Sequence, residues 1–205
     1  MKKLALLLLL PVVLLAQSFS KEEISRWQKQ ASRVTIIRDT WGIPHIYGKS
    51  DADAVFGLLY AQCEDDFKRV EMNYVEKLGR TAEVKGEAAL GSDLYVRLII
   101  DSAEAVADYK KGPAWLRTLM NAYADGINYY LFTHPSVKPA LLKRFEPWFP
   151  LMWTNGSISA ISTGDVTERD VRAFYLGGDE PLSALPTESE EPLTGSNGFA
   201  IAPSK

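Results

Sequence analysis

Ser196 stands at the one place in this chain where a hydroxyl could become a nucleophile without a distant base. It follows Thr194-Gly195 and opens Asn197-Gly198-Phe199-Ala200-Ile201-Ala202, a short apolar run that reads as a strand. A serine hydroxyl is a weak nucleophile until something takes its proton. The sequence holds only two histidines, His45 and His134, each beside a proline. One chemistry dispenses with them. A residue released at a new N-terminus by cleavage of the Gly195–Ser196 bond can use its own α-amine, whose pKa lies near ~8 and leaves a useful neutral fraction at neutral pH. That arrangement demands a cleavable lead-in followed by a rigid strand. A hydroxyl residue at a loop-to-strand boundary also serves as an ordinary turn residue, and layout alone leaves both readings open.

Other constellations carry less. With two histidines, multi-histidine metal sites and the HExxH pattern are excluded, and no phosphate-cradling glycine loop or GxSxG elbow occurs. His45 reads as a structural hydrogen-bonding residue in an edge strand. Glu64-Asp65-Asp66 reads as a solvated helix face, or as carboxylates paired with Lys68 and Arg69 and with residues one turn away. A buried acid in the same helix would need a partner such as Arg97 or Arg80. Cys63 has no basic neighbour to lower its pKa and reads as a small buried hydrophobe.

The elements that must position these groups follow from periodicity. Residues 21–32 look like a polar leader with helical character. Val34-Thr35-Ile36-Ile37 is a β-branched strand signal. Asp39-Thr40-Trp41-Gly42 supplies turn chemistry, and Ile43–Gly48 a second extended segment kept at an edge by Pro44. Ser50 or Asp51 can cap a long helix from Ala52 to Leu78, with Gly79 ending it. Tyr95–Ile100 fits either a strand or a helical turn. Helices are expected over Ala103–Lys110, Trp115–Phe132, Pro139–Phe145 and Asp165–Leu176, with Glu146-Pro147-Trp148 as a rigid bend. Residues 177–195 mix Gly177, Gly178, Pro181, Pro186 and Pro192 with Asp179, Glu180, Glu188, Glu190 and Glu191. Such composition buries little apolar surface and suits a protease-accessible spacer.

The first residues carry an address. Lys2 and Lys3 precede the apolar run Leu4–Ala16, and small residues follow at Ala16, Ser18 and Ser20. This is the pattern of a secretory signal peptide over residues 1–18, cleaved after Ser18, with Ala16 and Ser20 as alternatives. The run falls short of the roughly twenty residues a membrane span needs. An exported, periplasmic or secreted location follows, with no membrane attachment after cleavage. Loss of Lys2 and Lys3 moves the net charge from −3 to −5. No basic stripe marks a nucleic-acid partner. A single cysteine forms no internal disulfide, so stability must come from a core.

Several stretches, in order, resemble the penicillin acylase family of N-terminal-nucleophile hydrolases. They are Val34, Ile36, Arg38, Asp39, Gly42, Ile43, Pro44, His45 and Ile46; then Gly57, Ala61, Gln62, Glu64 and Asp65 within Asp53–Glu71; then Gly79-Arg80, Glu83 and Gly86; then Ala122–Asn128; and Glu146-Pro147-Trp148. The resemblance spans residues 33–205. It implies an α+β fold: the mostly helical α-chain portion (residues 19–176) of an αββα hydrolase, ending at the first strand of the β chain. It also implies a precursor that cleaves itself at Gly195–Ser196, with residues 177–195 as spacer and residues 196–205 as the start of a β chain that pairs with the α chain. Ser196 is then the catalytic residue, the substrate a small-molecule amide such as that of a β-lactam or an acyl-homoserine lactone. A structural calcium ion between the chains is implied as well, with Glu168 at the position of its α-chain ligand. The oxyanion-hole donors and the other calcium ligands are expected beyond residue 205, so these residues alone are expected to be inactive. Ile158, Ile161 and Ser162 do not reproduce the pattern of the penicillin-G enzymes in the region that contributes to their acyl pocket. The rival class is a secreted, non-catalytic helical binding module with a disordered acidic tail.

Overall fold

Ser20 begins the ordered chain with a reciprocal cap. Its Oγ accepts from Glu23 N at 3.1 Å, while Glu23 Oε2 accepts from Ser20 N at 2.9 Å. This starts helix α1, Lys21–Ala31. The computed structural model describes residues 19–99, 101–152 and 166–176. The polar leader expected over 21–32 is more than that, because Trp27 is completely buried between Phe56 and Ala122.

Strands β1, Val34–Arg38, and β2, Pro44–Gly48, pair antiparallel with Ile36 opposite Ile46. Between them Asp39 Oδ1 accepts from Trp41 N at 2.9 Å and Ile43 N at 3.0 Å, as an aspartate in a turn does. Val34 and Ile46 face Gly57 on the next helix.

Helix α2 runs Asp51–Lys77, capped by Ser50, whose Oγ accepts from Asp53 N at 3.3 Å. It is not continuous. Asp66 adopts an extended backbone (φ −159°, ψ 76°) and its Oδ1 accepts from Arg69 N at 3.0 Å. Asp66 thus acts as an internal N-cap, and one periodic stretch becomes two helices end to end. At the far end Gly79 takes φ +60°. Arg80 N reaches Val75 O at 3.0 Å and Gly79 N reaches Glu76 O at 2.9 Å, the paired bonds that close a helix through a left-handed residue.

Short helix α3, Ala82–Lys85, leads through a 3-10 turn to α4, Leu90–Ile99, so Tyr95–Ile99 is helical. Helix α5, Ser102–Lys111, is capped by Asp101. Helix α6, Ala114–Thr133, starts after Pro113 and crosses α2 closely: a Cβ on Gly126 would lie 2.5 Å from Phe56 O. The core gathers here, with Leu59, Phe67, Tyr74 and Val75 of α2 against Ile127 and Tyr130 of α6. Helix α7, Glu168–Leu176, lies beside α4 with Val171 buried.

The helix expected over Pro139–Phe145 is not formed. Its amides are captured from outside instead: Ala140, Leu141 and Leu142 N–H donate to the Glu71 carboxylate, and Phe145 N–H to Asn128 Oδ1. The Phe145 amide, which a helix would give to the carbonyl of Leu141, goes to Asn128 instead, so the ladder has no bond there. The chain then turns into a 3-10 segment, Phe149–Met152. Among the described residues the fold is seven α-helices with one two-stranded sheet, and no helix is long and apolar enough to cross a membrane.

Candidate functional site

Ser196 and Gly195 lie outside the described residues, as do the leader 1–18, the acidic tract 177–195, and Ile158, Ile161 and Ser162. Glu168 is described. It is the first residue of α7, about half exposed, with Oε1 3.8 Å from Arg172 Nη1. A hard cation favours carboxylate oxygens but takes about six to eight of them. Glu168 fits as one such donor. Among the described residues no group of three or more His, Cys, Asp or Glu gathers to complete a set.

The other sequence candidates resolve into architecture. His45 Nε2 sits 3.2 Å from Asp39 Oδ2, within the hairpin. His45 and two backbone amides hold the Asp39 carboxyl below its ordinary pKa. His134 caps α6: its Nδ1 lies 3.0 Å from Tyr130 O, and its ring stacks on Tyr130 at 4.2 Å. Burial pushes the Cys63 thiol up to about 12, which removes it as a nucleophile. In the acidic trio, Glu64 and Asp65 both pair with Arg38, at 3.1 and 2.8 Å, and Asp66 divides the helix. The partners are thus a strand arginine as well as Arg69 one turn on.

Arg80 and Arg97 do not serve the buried acids. Arg80 forks onto Glu83 at 2.6 and 2.8 Å, and Arg97 Nε donates to Gly79 O. Among the described residues the buried acids are Asp53, Glu71, Asp93 and Asp125. Asp53 takes the fork of Arg33. Asp125 takes Arg26 and the indole N–H of Trp27, at 2.7 and 2.6 Å on Oδ1. Asp93 takes the amides of Thr81 and Ala82. Sequence reasoning missed these and the buried Asn128. A signal was present: each of Glu71, Asp125 and Asn128 interrupts an apolar helical face, a placement that burial tolerates only with full hydrogen bonding.

A cleft of about 590 Å³ opens between the end of α2, one side of α4 and the Trp148–Met152 turn. Leu78, Val96, Trp148, Phe149 and Met152 give it apolar walls, and Arg80, Arg97, Asp101 and Glu146 bring charge. It can hold an amphipathic small molecule. Ser102 is the one hydroxyl side chain lining it.

The model of the penicillin amidase family matches residues 33–205. Among curated relatives, the penicillin acylase 2 proenzyme of Pseudomonas sp. (strain SE83) is 32% identical over 120 residues, 57% of this chain and 16% of the relative. The acyl-homoserine lactone acylase QuiP of Pseudomonas putida is 29% identical over 175 residues, 80% of this chain and 21% of the relative. The chain therefore spans about a fifth or less of the length of these relatives. Among solved structures, a thermostable penicillin G acylase from Alcaligenes faecalis superposes with a TM-score of 0.52 at 25% identity, covering 58% of this chain and 68% of that one. The family match takes in the hairpin, helices α2 to α7 and the Gly195-Ser196-Asn197 stretch. The chain belongs to the penicillin amidase family.

Proposed function

We propose that these residues form the N-terminal part of an exported acylase precursor that hydrolyses an amide joining an acyl group to an amine. The observation that carries this reading is the continuous family match over residues 33–205, which includes the Gly195-Ser196-Asn197 stretch. In this reading the αββα layers are completed by chain that follows Ser196. The relatives' names point to two substrate groups, penicillins and acyl-homoserine lactones, and both present an acyl–nitrogen bond to a nucleophile.

The steps need only groups named here. In maturation, Ser196 Oγ attacks the Gly195 carbonyl carbon, the Gly195–Ser196 C–N bond breaks, and the ester so formed is hydrolysed by water. The α-amine of Ser196 is thereby freed, and the β chain remains paired with residues of the α chain. In catalysis that amine accepts the Oγ proton, directly or through a water, as Oγ attacks the substrate carbonyl. The proton passes to the leaving amine, and water then hydrolyses the acyl-serine ester. Calcium, where bound with Glu168 as one donor, supplies a structural tie between the chains.

Relatives with the words acylase and proenzyme in their names disfavour the alternative of a non-catalytic binding module. Mass spectrometry of the full-length gene product tests the reading. Two chains are expected, the second beginning at Ser196, with processing lost in Ser196→Ala. A single intact chain from folded protein would overturn it.

A further inference from the structure

Phe19 and Ser20 stand before the first helix, yet both are built into the fold. The Phe19 ring meets the completely buried Trp27 edge-on, with centroids 4.8 Å apart and planes at 77°. The guanidinium of Arg144 lies 5.2 Å from the centre of the same ring. That guanidinium is itself held by Glu23, Nη1 to Oε1 at 2.6 Å and Nη2 to Oε2 at 3.0 Å. Ser20 closes the reciprocal cap with Glu23 through both its hydroxyl and its amide. The family match begins at residue 33, so all of α1 and the two residues before it lie outside that match.

We propose that a leader peptidase cuts the Ser18–Phe19 bond, and that Phe19, the residue so exposed, is a peg that anchors the new N-terminus between Trp27 and Arg144. The proposal rests on the exported reading above. Such a peptidase reads small residues at the first and third positions before the cut. Ala16 and Ser18 supply them for a cut after Ser18, and Ser18 and Ser20 for a cut after Ser20, whereas a cut after Ala16 has Leu14 at the third position. Two bonds therefore remain, and the fold separates them. A cut after Ser20 strips away the peg and the cap together, and it sets the Lys21 α-ammonium at the positive end of α1. A cut after Ser18 keeps both residues and puts the new ammonium outside the cap, with Glu22 and Glu23 in the turn that follows. In the step itself water adds to the Ser18 carbonyl carbon and the C–N bond breaks. Ser18 leaves with a carboxylate, and the nitrogen becomes the α-ammonium of Phe19.

The test uses the full-length gene product, made with its own leader in an exporting bacterial host. Free α-amines are labelled before digestion, and the labelled peptides are identified by mass spectrometry. The exported protein should carry a label on Phe19. A label on Gln17 or Lys21 in its place overturns the assigned bond and leaves the exported reading standing. A chain that keeps its leader and stays in the cytoplasm overturns both. Ser18→Phe, which puts a large side chain just before the bond, should lower the yield of chain beginning at Phe19 at least about tenfold, and an undiminished yield overturns the assignment. The peg has its own readout. Phe19→Ala, bearing the label at residue 19, should raise the unfolding equilibrium constant in urea about fivefold through loss of the aromatic pair. A wild-type value there overturns the peg, while the label still decides the cut. None of these outcomes depends on amide hydrolysis or on cleavage at Ser196, so the acylase reading is judged separately.

Discussion

Arg33 lays its guanidinium fork on the carboxylate of Asp53, Nε to Oδ2 at 3.0 Å and Nη2 to Oδ1 at 2.7 Å, pinning the turn after α1 to the first turn of α2. The two partners are unequal. Asp53 is fully buried, while the side chain of Arg33 is 43% exposed. Removing either end therefore has different consequences. Arg33→Ala leaves a buried carboxylate without its cation and should be clearly destabilising, whereas Asp53→Asn leaves an arginine that can turn to water and should cost distinctly less. Urea unfolding of the full-length protein measures both. The double variant should resemble Asp53→Asn, and equal losses in the two single variants would contradict this account.

Glu23 gives the fold a dependence on acid. Its carboxylate accepts both arms of Arg144 at 2.6 and 3.0 Å, and this pairing, with the amide of Ser20, holds its pKa at about 2 against an ordinary 4.5. The folded state thus prefers the ionised form. The stabilisation is fully present above pH 4.5 and is lost as pH falls towards about 2. Melting temperature plotted against pH should fall across that window in the wild type and fall less steeply in Glu23→Gln. Parallel curves would show that the pair contributes nothing.

Much of this architecture is legible in the residues, and the exceptions share a cause. The Ser50 cap, the Gly79 stop, the hairpin around Asp39 and the long face of α6 are local signals, and the structure obeys them. Pro139–Phe145 has the spacing of a short helix but is claimed by Glu71, about seventy residues earlier in the chain, a competition no local window contains. Asp66 is the converse: an aspartate inside a helical run can either face solvent or recap the next turn, and periodicity does not distinguish the two. Trp27 sits in a segment too polar to advertise a core position, and its burial follows from Phe56 and Ala122 arriving from α2 and α6. The candidate nucleophile lies outside the described residues. Ser196 stands out by its flanking composition, whereas the cleft is made where the end of α2, α4, the start of α5 and the 146–152 turn meet.

Gly126 sets the α2–α6 crossing. An alanine there would place Cβ 2.5 Å from the backbone oxygen of Phe56 and 3.2 Å from Leu59 Cβ, and a backbone atom cannot swing aside as a side chain can. Helix propensity alone favours Gly126→Ala by about 1 kcal/mol. Overpacking should outweigh it, for a net loss of about 2 kcal/mol. Denaturant unfolding decides the sign, and a stabilised variant would mean that the helices separate more easily than their packing indicates.

Cys63 reports on the same core. Its thiol is 1% exposed and burial raises its pKa to about 12, so almost no thiolate exists at neutral pH and none is accessible. Iodoacetamide should leave the native protein unlabelled at pH 8 and label it once urea unfolds the core. Rapid labelling under native conditions would show that the α2–α6 core opens locally.

Glu168 offers the last and most direct link to the proposed assembly. Among the described residues its carboxylate meets only Arg172, at 3.8 Å, a contact long enough to leave an oxygen for a cation. If it is one donor of a calcium site shared with the β chain, chelation should lower the melting temperature of the processed full-length protein. Calcium should restore it, and magnesium, which demands a smaller and more rigid octahedron, should not. In Glu168→Gln the calcium concentration needed for half-restoration should rise at least about tenfold, since a neutral amide oxygen replaces a charged one. Arg172→Ala separates this from the ion pair: it removes the contact but leaves the carboxylate, so it should keep the wild-type calcium dependence. A protein whose melting temperature ignores both chelator and calcium would remove Glu168 from any metal role and leave it as the first-turn acid of α7.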